Sequence, residues 1–443
     1  MDLQASTPFR TISVVLLGAL LVGLVLVLRG VAGIGDALQL LEQHGEDQRE
    51  EATPAGRNES HRKPRKGGAW RTSQPASRGC RKDSAPSPQC TSSPPRYPRL
   101  MELIENSTDV GSCGCNAAGQ QRCLPSAIIA GIEKGGTGEL KAWLSAHPKI
   151  NMVMSEIRFF NRPNPSGSLG PYLRSGFCLS EEHRLSGSIT MEKSPSYMMA
   201  YCDAAPRIAR ALPSAKLVVL LRDPASRAYS SFHHHCQRGR VFTNPHARIS
   251  WNQATDDAES ARASQTPCDA RHFDVLVDTA KLQFAEGNKT VQDFYEKVDA
   301  SAECMLADGY FKDNHGIFSH GVYSAGFEEF FKRFGRDRVH VVLSNEWVEH
   351  PHEELQRIED FLGLPNHVYR SHKNMNGFHV VEGVGYKSKG NRKGYQSAST
   401  SSMTFLHDFY AHDVARMKSL LPGIGARMDK YWGWTAGISA ASG

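Results

Sequence analysis

The sequence predicts an α/β fold, a mainly parallel sheet with flanking helices, and three observations carry that prediction. First, the apolar run Ala127-Ile128-Ile129-Ala130-Gly131-Ile132 passes through Lys134-Gly135-Gly136-Thr137 into a helix-forming stretch, Glu139 to Ala146. Second, Lys216-Leu217-Val218-Val219-Leu220-Leu221 reads as a buried strand running straight into Asp223-Pro224, a helix-capping residue followed by a good first helical residue. Third, the apolar pattern of the body alternates between strand-like and helix-like spacing and shows no internal repeat, as strands and helices taken in turn would.

Along the 443 residues the composition changes sharply, and 40% hydrophobic content is ample for one large domain with appendages or for two domains. Residues 1–11 read as a cytosolic tail. Ile12 to Leu28 is an apolar run flanked by Arg10 and Arg29, and residues 12–30 are long enough to span a bilayer as a signal-anchor transmembrane helix. A signal peptide cleaved at Val31-Ala32-Gly33 is the competing reading. The short N-terminal flank favours a single-pass type II orientation with everything beyond the anchor lumenal. Residues 31–110, rich in Pro, Ser, Gly, Arg, Lys and Glu, lack the apolar content to offset ordering entropy and read as a disordered stem. The basic run His61 to Lys66 inside it reads as solvated linker, with a patch for an acidic polymer as the alternative. The catalytic body is expected over residues 120–436.

Ten cysteines suit an oxidising secretory compartment and imply disulfides, whose pairing the spacing leaves open; Cys113 and Cys115 are too close to be assumed partners. Sequons at Asn58, Asn106 and Asn288 all lie beyond the anchor, in agreement with a lumenal body. Cys113, Cys115 and Cys123, or His233-His234-His235-Cys236, offer metal-ligand types without a zinc spacing, so no metal is expected. The net charge of +6 fits a protein that handles anionic substrates, and no nucleic-acid partner is expected.

The turn at Lys134 to Thr137 reads as a phosphate cradle, because a strand, a glycine pair and a helix N-terminus aim backbone N–H groups and the helix dipole at one spot. Its lysine precedes the glycines, unlike the Walker A order, so ATP is not the expected ligand. A plain glycine turn with a solvated lysine is the bland alternative. Arg222, at the carboxyl end of its strand, and Ser230, two helical turns on, would offer a charged fork and a hydroxyl to a second phosphate. Gly321 to Phe334 is expected to be an amphipathic helix whose apolar set includes Val322, Arg338 to Leu343 a strand, and Pro351 to Leu362 a helix ending at Gly363. Arg240 to Gly316 is polar and irregular, and reads as a lid or substrate-facing insertion stapled by Cys268 and Cys304.

From about Pro125 to Trp434 the chain resembles the Golgi sulfotransferases that use 3′-phosphoadenylyl sulfate (PAPS), above all the heparan sulfate 3-O-sulfotransferases and the sulfotransferase half of the N-deacetylase/N-sulfotransferases. Lys134-Gly135-Gly136-Thr137 is similar to the family's 5′-phosphosulfate loop, and Arg222 with Ser230 to its 3′-phosphate pair. Glu156-Ile157-Arg158-Phe159-Phe160-Asn161 is similar to the acidic strand segment that carries the family's catalytic glutamate. Glu192-Lys193-Ser194-Pro195-Ser196-Tyr197 resembles an E-K-[ST]-x-x-Y stretch, and Lys387 to Lys393 a late basic loop that closes over the nucleotide. Arg158 stands where relatives carry histidine or glutamine, and Asn391 is an extra residue in the late loop.

The resemblance implies a P-loop-like sulfotransferase fold and PAPS as donor co-substrate, without a metal. It implies Glu156 as the base with Glu192 in reserve, Lys134 stabilising the leaving phosphate, and the amides of Gly135, Gly136, Thr137 and Gly138 on the 5′-phosphate. Arg222 and Ser230 would bind the 3′-phosphate, and Lys389, Gly390, Asn391, Arg392 and Lys393 would cover the nucleotide. Arg158, Glu192 and Lys193 would face the acceptor, with Lys193 either pairing Glu192 or binding an acidic group. The bland alternative for Glu156 is a half-exposed strand residue paired with Arg158 or Lys193. The acceptor would be a glycosaminoglycan-like polysaccharide, sulfated at a hydroxyl or an amine, and the location the Golgi membrane with the body lumenal. The rival readings are an inactive lumenal glycan-binding protein of the same fold and a P-loop kinase, which would need a lysine after the glycines and an acidic magnesium ligand. Oligomeric state is left open.

Overall fold

Five parallel strands form the sheet that carries the candidate site: β1 (Ala127–Gly131), β2 (Ile150–Met152), β3 (Ile189–Lys193), β4 (Lys216–Leu221) and β5 (Val339–Leu343), in the spatial order β2-β3-β1-β4-β5. The structure is a computed structural model describing residues 88–91, 98–106, 108–175, 177, 186–237, 268–286, 290–300, 316–373, 379–381 and 396–433. All of these belong to one unit, Ser73–Gly443. The main helices are α1 (Thr137–Leu144), α2 (Tyr201–Ala211), α3 (Pro224–Cys236), α4 (Ala270–Glu286), α5 (Val291–Ala300), α6 (Ser324–Phe334), α7 (Pro351–Leu362), α8 (Thr400–Leu420) and α9 (Pro422–Trp432).

The sheet is buried on both faces, which is why β1, and β4 from Leu217 onward, read as continuous apolar runs. Successive side chains of a strand point to opposite faces. Ala127 and Ile129 of β1 pack with Leu140, Trp143 and Leu144 of α1 and with Leu355 and Ile358 of α7. Ile128 and Ala130 pack on the other side among Ala204 and Ile208 of α2, Phe327 of α6 and Phe409 of α8. The β1, β4 and β5 strands and the helices α1, α3 and α7 form where the sequence predicts them. Asp223 caps α3 by accepting the Ser226 amide at 2.6 Å, and α7 ends at Gly363 with φ 76°.

Several expectations are corrected. The helix expected from Gly321 begins at Ser324, preceded by a 3-10 turn over Ser319–Gly321, so Val322 precedes it. A buried carboxylate explains the start: Asp413 of α8 accepts the amides of Tyr323 at 2.8 Å and Ser324 at 3.0 Å, ending the turn and opening the helix. The polar stretch 240–316, read as irregular, contains α4 and α5. Of the two cysteines expected to staple it, Cys268 bonds to Cys236 and fastens the end of α3 to the start of α4, while Cys304 lies outside the described residues.

Cys113 bonds to Cys123 across a two-stranded hairpin, Cys113–Cys115 with Gln121–Cys123, and Cys90 bonds to Cys115. These sulfurs are thus taken by disulfides instead of a metal. Residues 98–106, within the stretch composition assigns to the stem, pack on the body: Glu105 pairs with Arg210 at 3.0 Å and Ile104 bridges Ser168. Asn106 is exposed there, while Asn58 and Asn288 lie outside the described residues. Among the described residues no helix is long and apolar enough to cross a membrane, and the run at 12–30 lies outside them.

Candidate functional site

The turn after β1 is built by its glycines. Lys134 adopts φ 69° and Gly136 φ 100°, and α1 begins at Thr137. A Cβ on Gly135 would lie 2.7 Å from the Leu220 carbonyl oxygen and 2.9 Å from Ile132 Cγ1, so only glycine lets the turn settle against β4. The Gly135 amide donates to the Ile132 carbonyl at 3.1 Å, inside the turn. That corrects the expected four-amide cradle: helix geometry turns outward the amides of Gly136, Thr137 and Gly138. No side chain caps this helix. Ser344, directly after β5, braces the turn by donating to the Gly135 carbonyl at 2.5 Å.

Arg222 follows β4 and donates from Nη1 to the Lys134 carbonyl at 3.0 Å, so the two cationic residues adjoin. Its own carbonyl accepts the Tyr323 hydroxyl at 3.1 Å. Ser230 lies half-buried on α3, and its neighbour Tyr229 donates to the Gln396 carbonyl. That bond brings the segment just after the late basic loop against α3. Lys389, Gly390, Asn391, Arg392 and Lys393 themselves lie outside the described residues.

Glu156 is not on a strand; it stands in the loop between β2 and a 3-10 turn, Phe159–Asn161. Its side chain is 28% exposed, Lys193 donates to Oε1, and Arg158 donates to Oε2, through Nε at 3.1 Å and through Nη2. Burial raises the Glu156 carboxyl, but Lys193 and Arg158 outweigh it and hold the group below the usual carboxylate range. Lys141 of α1 donates to the Met154 carbonyl at 2.7 Å and is itself pushed down by burial and by the nearby Lys193 charge.

Glu192 and Lys193 are neighbours on β3, opposite Ile128 and Ile129 of β1, and so face opposite sides of the sheet. Lys193 therefore does not pair with Glu192; it pairs with Glu156, as does Arg158, the pairing that the alternative reading of Glu156 expects. Glu192 is 0% exposed and accepts the hydroxyls of Tyr172 at 2.6 Å, Tyr197 at 3.0 Å and Ser194 at 3.1 Å. Burial pushes it up to about 7 against the pull of those three donors. It does not face an acceptor.

The sulfotransferase domain family matches residues 124–417, well over half of the chain. The chain belongs to that family. This sulfotransferase domain is 26% identical over 267 residues to mouse heparan sulfate glucosamine 3-O-sulfotransferase 3B1, covering 59% of this chain and 65% of that protein. It is 38% identical over 117 residues to human heparan sulfate glucosamine 3-O-sulfotransferase 6, covering 25% of this chain and 31% of that protein. A solved sulfotransferase from Alicyclobacillus acidocaldarius aligns over 67% of this chain and 96% of its own, with 21% identity and a TM-score of 0.39.

In this sulfotransferase domain the turn after β1, Glu156 after β2, Lys193 ending β3, Arg222 after β4 and Ser344 after β5 all occupy the carboxyl edge of the sheet, where open α/β sheets hold ligands. Sequence reasoning missed Ser344 and Lys141. A serine after an apolar strand and a lysine in an amphipathic helix are signals too common to single out. Among the described residues no group of three His, Cys, Asp or Glu side chains could hold a metal.

Proposed function

We propose that this chain transfers a sulfo group from PAPS to a glycosaminoglycan-like polysaccharide, with Glu156 as the base. The observation that carries the reading is the bond between Arg222 and the Lys134 carbonyl, which joins two candidate phosphate-binding residues at one edge of the sheet. The donor, when bound, supplies an activated sulfo group on a mixed anhydride. The steric limit at Gly135 supports the fit by seating the turn against β4, which leaves the N-terminal amides of α1 as the place for an anion. Gly136, Thr137 and Gly138 hold the 5′-phosphate through their amides, and Arg222 and Ser230 bind the 3′-phosphate, with Lys389 to Lys393 as cover.

Glu156 takes the acceptor proton as the acceptor oxygen or nitrogen bonds to sulfur and the bond from sulfur to the bridging phosphate oxygen breaks. Lys134 stabilises the charge released on that oxygen. Lys193 and Arg158 keep Glu156 ionised before the proton arrives, and with Lys141 they form a cationic surround suited to an acidic chain. The names of the relatives support a heparan-type acceptor. With residues 12–30 as anchor the body would face the Golgi lumen, and its disulfides fit that oxidising compartment.

Calorimetry with 3′-phosphoadenosine 5′-phosphate and with ATP, followed by labelled donor and a panel of desulfated glycosaminoglycans, tests the proposal. Preference for the former nucleotide and label on a polysaccharide are expected. Equal affinity for ATP, or no transfer to any polysaccharide, would overturn it.

A further inference from the structure

The buried Glu192 has no place in the transfer chemistry, yet its hydrogen bonds lead to the loop that carries Glu156. Tyr172 and Tyr197 both donate to its Oε1, at 2.6 and 3.0 Å, while Ser194 donates to Oε2 at 3.1 Å. A serine hydroxyl has one proton and two lone pairs, so donating to Glu192 fixes where its lone pairs point. One of them accepts the backbone N–H of Arg158 at 3.0 Å. Arg158 sits at φ 54° and ψ 27°, a left-handed conformation that a residue with a side chain adopts only when its surroundings impose it. Glu156 is two residues earlier. Asn161, at the far end of the same turn, donates to Ser196 at 2.9 Å, so the Glu192–Tyr197 block grips the segment at both ends.

We propose that Glu192 and Ser194 are positioning residues: Glu192 orients the Ser194 hydroxyl, and Ser194 holds Arg158 in its left-handed turn. That turn directs Arg158 back onto Glu156 and fixes the carboxylate at the sheet edge. The inference rests on the reading of Glu156 as the base. It assigns the second acidic residue of the site a task in the core, with no contact to nucleotide or acceptor.

The test uses the lumenal body with Ser194→Ala, Ser194→Thr, Glu192→Gln and Arg158→Gly, read by steady-state kinetics, nucleotide calorimetry and hydrogen exchange. Ser194→Ala is expected to lower kcat roughly tenfold to a hundredfold, the cost of a catalytic group displaced by about an ångström. Nucleotide affinity should stay within about twofold, since the phosphate turn is on another loop. Ser194→Thr, which keeps the hydroxyl, should restore turnover. Adding Ser194→Ala to Arg158→Gly should cost much less than it costs alone, because glycine adopts the left-handed turn unaided. In Ser194→Ala and Glu192→Gln the exchange of residues 155–161 should rise while β1 and β4 stay protected.

Unchanged kcat and unchanged exchange of 155–161 in Ser194→Ala would overturn the inference, as would global loss of protection in both variants. Absence of transfer by the unmutated body would instead remove the proposed function, while the exchange measurement still reads the Ser194 contact by itself.

Discussion

Arg222 donates to the carbonyl oxygen of Lys134 at 3.0 Å, so the residue just after β4 holds in place the turn that leaves β1. A planar guanidinium presents its N–H groups in a fixed fork, which an ammonium does not reproduce. Arg222→Lys should weaken 3′-phosphoadenosine 5′-phosphate binding by about tenfold or more. Calorimetry checks it, and unchanged affinity would remove Arg222 from the nucleotide site.

Lys134→Ala is expected to depress turnover by roughly a hundredfold or more, the usual scale for a preorganised charge facing a leaving group. Because outward amides of the α1 N-terminus persist, nucleotide affinity should fall far less than kcat. Parallel kinetics and calorimetry separate the two effects, and equal losses in both would make Lys134 a binding residue only.

Glu156→Gln should abolish transfer while the nucleotide still binds. The amide keeps the size of the carboxylate and loses its capacity to accept a proton. Single-turnover assays with labelled donor decide the matter, and normal turnover would send the base role elsewhere.

Two adjacent glycines should fail for different reasons. In Gly135→Ala the new methyl collides with the Leu220 carbonyl at 2.7 Å, and backbone must move. In Gly136→Ala the nearest atom is Leu220 Cδ2 at 3.6 Å, but φ 100° is strained for alanine, a cost of about 1–2 kcal/mol. Urea unfolding should therefore show the larger loss for Gly135→Ala, and a larger loss for Gly136→Ala would contradict the packing of this turn.

Two buried groups should pull stability in opposite directions in mild acid: Glu192, raised to about 7, adds stability as pH falls, and His340 on β5 removes it. Burial, helped by Arg357 and Arg427, lowers its pKa from 6.5 to about 4. The unfolded chain therefore takes up a proton near pH 6.5 that the folded protein refuses until about pH 4, so stability is lost as pH falls through that window. The loss is at most about 3 kcal/mol. His340→Gln should remove the destabilising half, so that its urea midpoint rises relative to the unmutated protein as pH falls from 7.5 to 4.5, roughly the window where the linkage acts; parallel midpoints for the two proteins would contradict the assignment.

The sheet was legible where local signals agree. β1 is apolar throughout and β4 is apolar from Leu217 onward, and each runs into a turn or cap with its own chemistry. By contrast β3 contains Thr190, Glu192 and Lys193, polar residues that contradict a buried strand until their partners are known. Those partners are distant in sequence: Tyr172 for Glu192, Glu156 for Lys193. β2 is three residues long, too short for any periodicity. In α4 the apolar residues Phe273, Val277, Ala280 and Phe284 do follow helical spacing, but the polar stretch before them masked the pattern. Candidate residues for the site could be named from motifs, whereas the division of labour between Glu156 and Glu192 depends on strand alternation and on burial that only folding creates.

The Cys236–Cys268 crosslink closes a segment with a sequence separation of 32, rooted at the last residue of α3 and just before α4. The covalent bond therefore ties the end of the helix that carries Ser230 directly to α4, so that any shift of α4 is felt at the nucleotide edge through one link instead of through the chain.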